Sequence, residues 1–174
     1  MKKILLPFAI LILSVILISI SGCNPELVSP QNPLGDKGLA GQQKAEEVMG
    51  YLKTGDSESL KAMFCNELKK GTDFDAQISK AVSFIDGEII SYNIGGGSGG
   101  SGGRGKNWEE LAPTVYSIKT DKDKCYTLIL SFYIENEDEN KLGMHEFSLW
   151  LEDGSEDTEN GIGNDDNRVL IYTE

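Results

Sequence analysis

The hydrophobic pattern of this chain changes period once, near residue 85, and that change constrains the fold more than any other feature. Before it, apolar residues recur every three or four positions. Ala45, Val48, Met49 and Leu52 mark a first helix that stops near Gly55. Leu60, Met63, Phe64 and Leu68 mark a second, capped by Asp56 or Ser57 and stopped at Gly71. Phe74, Ile78, Ala81, Val82 and Ile85 mark a third, opened by Thr72 or Asp73. After the change, branched and aromatic residues predict strands at 85–94, 114–120, 125–135, 144–152 and 168–173. Polar turns at 121–124 and 136–141 join consecutive strands into a meander. Helices followed by strands predict an α+β domain: three N-terminal helices packed on one face of a curved antiparallel sheet.

The segment before this pattern is of another kind. Lys2 and Lys3 precede an apolar run from Ile4 to Ile20, and small residues lead to Cys23. A basic start, an apolar middle and a small-residue end read as an export signal. Ile20-Ser21-Gly22-Cys23 resembles the bacterial lipobox. That resemblance implies a diacylglyceryl thioether on Cys23, cleavage before it, and a lipid anchor on the extracytoplasmic face of the cell membrane, where two acyl chains suffice for stable attachment. Pro25, Pro30 and Pro33 then punctuate a stretch without apolar period. The expected organisation is a signal peptide over 1–22, a lipidated cysteine and tether over 23–41, and one domain over 42–174.

Charge narrows the partners. The chain carries 16 basic and 28 acidic residues, a formal charge of −12. Such a surface repels nucleic acid and anionic headgroups, so membrane contact is expected through the lipid on Cys23 and no nucleic-acid partner is expected. Cys65, in a helical pattern, and Cys125, at a strand start, could form a disulfide in an oxidising compartment or stand apart as small apolar residues. Two cysteines and one histidine make a four-ligand zinc site improbable, so neither metal nor cofactor is expected.

Several stretches carry a resemblance. YLKTGDSESLKAMF (51–64) and FIDGEIISY (84–92), with the meander after them, look like the nuclear-transport-factor-2-like, or cystatin-like, α+β roll. The lipobox, the G-D-x-E-x-L-x-x-M-F stretch, the D-G-x-I-x-S-Y strand before a glycine-rich loop, and KLGMH (141–145) together resemble an uncharacterised family of small Gram-positive lipoproteins. The resemblance covers roughly 42–174 and implies a fold rather than an activity.

Four features invite a chemical reading. IGGGSGGSGGRGKNW (94–108) matches both the phosphate-loop and the dinucleotide glycine patterns. Asn107 stands where the phosphate loop needs Ser or Thr, Pro113 limits NWEELA to a short helical turn, and the helices precede the first strand, so both matches follow from composition. The stretch reads as a mobile, solvated loop, and Arg104 and Lys106 at its end, the densest positive spot on an acidic surface, could meet an anionic partner. The acidic stretch 152–168 suggests calcium, but Gly161 comes one position early for an EF-hand. His145 is the only histidine; strand alternation places it with Phe147, Leu149 and Leu151, facing the helices, where it could act as a general base.

The sequence therefore predicts a lipid-anchored extracytoplasmic domain that binds a small molecule or a protein without catalysis, with no residue assigned as catalytic. The alternative is a small roll-fold enzyme of hydrolase or isomerase type using His145 with Tyr92 or another residue of a cavity. A third reading is a structural partner in an envelope complex, recognised through a sheet edge or the glycine loop.

Overall fold

The computed structural model describes residues 35–96, 100–102, 107–152 and 167–173, all within one compact unit, Leu34–Glu174. Cys23, Arg104, Lys106, the signal segment and most of the acidic stretch lie outside the described residues.

Helix α1 runs Gly35–Thr54, so it begins inside the segment expected to be tether. Gly38 and Gly41 are buried on it; packing, not propensity, recruits these poor helix formers. Gly55, at φ +70°, ends the helix, and the Asp56 N–H closes the turn on the Tyr51 carbonyl at 3.0 Å. Asp56 then caps α2 (Ser57–Met63), its carboxylate accepting the Ser59 N–H at 3.0 Å.

The expected second helix is two helices, so the described residues form four α-helices. Phe64 and Cys65 are extended between α2 and α3 (Asn66–Lys69). The reason is tertiary. Phe64 forms a bridge to Met144, the Cys65 N–H donates to the Met144 carbonyl at 2.9 Å, and the Phe64 ring packs edge-on to Phe74 at 5.2 Å. Gly143, at φ +112°, makes this approach possible: a Cβ there would lie 2.9 Å from the Met63 carbonyl oxygen and 3.1 Å from the Cys65 nitrogen. The M-F-C and K-L-G-M-H stretches thus form one contact. Helix α4 (Phe74–Ser83) buries Phe74, Ile78 and Ala81.

Among the described residues the sheet is open and antiparallel with seven strands: β1 (Ile89–Gly95), β2 (Ser101–Gly102), β3 (Trp108–Leu111), β4 (Thr114–Thr120), β5 (Cys125–Asn136), β6 (Gly143–Leu151) and β7 (Arg168–Tyr172). Strand β5 is its axis. On one side β4 and β3 lie end to end against it, Thr114 opposite Ile129 and Leu111 opposite Phe132, with Ala112 and Pro113 between them. Proline has no N–H to give the ladder, yet its carbonyl accepts from Leu130 at 3.1 Å and keeps the chain alongside. On the other side β6 pairs with β5 and β7 with β6. Strand β1 lies outside β4, and β2 outside β3.

One face of the sheet meets the helices. Leu128, Leu130 and Phe132 of β5, Phe147 and Leu149 of β6, and Val169 and Ile171 of β7 join Val48, Met49, Leu60, Phe64 and Ile78 in one core. Cys65 and Cys125 are free thiols. Cys65 packs at the Met144–Phe132 level, whereas Cys125 lies seven residues along β5, roughly 20 Å away at ~3.3 Å per residue, too far for a bridge.

Candidate functional site

The side of the sheet away from the helices mixes hydroxyl and carboxylate groups with Ile129, Trp150, Leu170 and Tyr172. Thr127, Ser131 and Ser148 are buried on it, alternating with the core residues. Arg168 donates to the Ser148 hydroxyl at 2.8 Å, and the Ser131 hydroxyl donates to Glu146 at 3.3 Å. Glu152 accepts from the Cys125 thiol at 3.0 Å and from the Thr127 hydroxyl. Burial first, then the hydrogen bond to and charge of the adjacent Glu152 carboxylate, push the Cys125 thiol up from its ordinary range, which disfavours the thiolate.

Two strand irregularities converge on this face. Between Ser131 and Phe132 the pairing slips, so β6 carries one extra residue, His145. Between Glu109 and Glu110 the β3–β5 pairing also slips, and Glu110 stands opposite Tyr133. A bulge re-aims the side chain it carries. Here His145 Nε2 lies 3.0 Å from Glu110 Oε1, and the imidazole stacks on the Tyr133 ring at 4.0 Å between centroids. Trp108 meets the same tyrosine edge-on at 6.1 Å.

The bulge overturns the expected orientation of His145. Strict alternation from Phe147 would turn it toward the helices, but the extra residue shifts the parity. Met144 takes the core position, and His145 joins Glu110 and Tyr133 on the outer face. The pair is mostly enclosed, with side-chain exposures of 13% for His145 and 22% for Glu110.

Tyr92 lies on the other side. Its hydroxyl donates to Glu46 of α1 at 2.6 Å, and Lys53 Nζ sits 4.6 Å from its ring centroid. Burial first, then the Glu46 hydrogen bond and charge, push the Tyr92 phenol up to about 12. Tyr92 and His145 therefore do not share a cavity; the sheet separates them. Tyr92 instead lines a groove of about 840 Å³ between α1 and β1, with Leu39, Gln42, Glu46 and Glu47 on the helix side and Ile94 on the strand side.

Within NWEELA, Trp108–Leu111 form strand β3, not a helical turn, because the far half of β5 offers them a free edge. Part of the glycine stretch is also ordered. A Cβ on Gly102 of β2 would fall 1.9 Å from Trp108 Nε1, and one on Gly100, just before the strand, would fall 2.8 Å from the same indole, so these glycines admit the Trp108 ring. Sequence reasoning missed Glu110, Tyr133, Trp108 and Glu46. The sole signal for the first was a glutamate pair inside a short apolar-flanked stretch.

Among the described residues, no group of three or more His, Cys, Asp or Glu is placed to hold a metal ion. No described helix is long and apolar enough to cross a membrane.

Helices on one face of an open antiparallel sheet, a groove beside its edge and a carboxylate–imidazole pair on its outer face define an α+β helix-on-sheet domain. The chain belongs to the family described as a domain of unknown function, DUF5104, whose model matches residues 47–152. The match runs from within α1 to the end of β6 and includes Tyr92, Glu110 and His145. No curated protein sequence matches the chain significantly.

Proposed function

We propose that this protein is a lipid-anchored, extracytoplasmic binding domain. The signal segment 1–22 is removed before Cys23, the lipid on Cys23 holds the chain at the membrane, and a proline-bearing tether leads to an α+β domain of the nuclear-transport-factor-2-like, roll type. The basic start, apolar run and small residues before Cys23 support the anchor. The formal charge of −12 argues for a lipid attachment over a basic patch and against nucleic acid as a partner.

The observation that carries the binding reading is the α1–β1 groove. It is open, of about 840 Å³, and lined by apolar, amide and carboxylate groups together. Mixed linings of this kind supply contact area and a few orienting polar groups. Two measurements test the proposal. Cys23→Ser abolishes labelling by a palmitate analogue and releases the protein from membranes; labelling that persists refutes the anchor. Thermal denaturation of the mature chain, residues 23–174, with peptide, glycan and small-molecule fractions of the envelope gives a Tm rise in one of them. If no fraction raises Tm, the binding reading fails.

The Glu110–His145 pair favours a second reading, a small hydrolase or isomerase. A neutral imidazole that donates from Nε2 to Glu110 leaves Nδ1 free to accept a proton, as a general base must. On this reading, His145→Ala and Glu110→Gln each lower turnover of a chromogenic ester panel about 100-fold or more. Equal turnover by wild type and His145→Ala removes it.

A further inference from the structure

The α1–β1 groove runs beside an exposed strand edge. Among the described residues β1 pairs only with β4, so the backbone groups on its other side have no strand partner. The first half of β1 is irregular, with register shifts between Ile89 and Ser91 and between Ser91 and Asn93. The second half is regular: Asn93, Ile94 and Gly95 face Tyr116, Val115 and Thr114. This regular half is the part that lines the groove.

We propose that the groove takes an extended polypeptide segment, which adds as a strand to β1 at residues 93–95 and places a Lys or Arg side chain against Glu46. The proposal rests on the binding reading above and names the class of partner. A groove between an edge strand and a helix suits strand addition, in which main-chain hydrogen bonds give affinity and alternate side chains give specificity. Lys44 binds Glu47 at 3.2 Å along the helix, and Lys53 sits over the Tyr92 ring. Among the described residues Glu46 meets the neutral Tyr92 hydroxyl and no cation, so within the groove its charge is left for a cation to meet. Leu39 and Ile94 offer apolar contact to the residues between. A second copy of this chain is a poor occupant, because its formal charge is also −12.

The test is a random dodecapeptide display library panned on the mature chain. Enriched peptides alternate apolar residues with Lys or Arg, and their binding slows amide exchange at 93–95. N-methylation of alternate peptide amides weakens binding about tenfold or more. Glu46→Gln, which keeps an acceptor for Tyr92, weakens it about fivefold. No enrichment, protection away from β1, or binding indifferent to both changes overturns the proposal. So does protection of β1 through concentration-dependent self-association. If a glycan or small-molecule fraction raises Tm while no peptide binds, this proposal fails and the binding reading stands.

Discussion

Gly143 shows how much one residue decides. Its φ of +112° is open to glycine alone, and the helix break at Phe64–Cys65 presses against the space a Cβ would fill. Gly143→Ala should therefore cost about 2–4 kcal/mol in urea unfolding, from backbone strain and overpacking combined. Gly50→Ala is the matched control: nothing lies within 4 Å of its Cβ position in α1, so a gain of about 0.5–1 kcal/mol is expected. Tyr92 gives a second prediction. Its phenol is raised to about 12 in the fold against about 10 unfolded, so the neutral form is the one stabilised. That contribution is complete below pH 10 and is lost as pH rises from 10 toward 12. Ultraviolet titration should show this phenol ionising near pH 12, and Glu46→Gln should bring it down; no change in that variant would remove Glu46 as a contributor and leave burial as the whole cause.

At the scale of elements, β2 and β3 depend on each other and on β5. Trp108 pairs with Gly102 on one side and Asn136 on the other, and its ring occupies the room a side chain on β2 would need. Gly102→Ala should detach β2 while leaving the core intact. Trp108 emission should shift to the red and amides at 100–102 exchange faster, with no change in protection at Leu128–Leu130. A loss of global stability instead would place β2 in the cooperative core. The Glu110–His145 pair belongs to this scale too, since two bulges at one level of β5 create it.

For the whole molecule, the long pairings on either side of β5 set the architecture, and the helices cover only the face carrying Leu128, Leu130 and Phe132. The opposite face carries hydroxyl and carboxylate groups beside exposed Leu170 and Tyr172, and the groove lies at the β1 margin. The two candidate sites, on opposite sides of one sheet, can be altered independently.

Much of this was legible in the sequence because it is local. The period change gave the α+β class, and strands 114–120, 125–135 and 168–173 fall within a residue of β4, β5 and β7. Asp56 was readable as a cap and Gly55 as a stop, since both act within a single turn. What tertiary structure alone decided were contacts between distant segments. The break at Phe64–Cys65 needs Met144, the four residues of β3 need the spare edge of β5, and Gly100 and Gly102 need Trp108. His145 turned outward because one inserted residue reverses every side chain beyond it, and a bulge leaves no mark in a period-two pattern. Sequence determined which segments become helix or strand; where their side chains meet was settled by which edges and cavities remained to be filled.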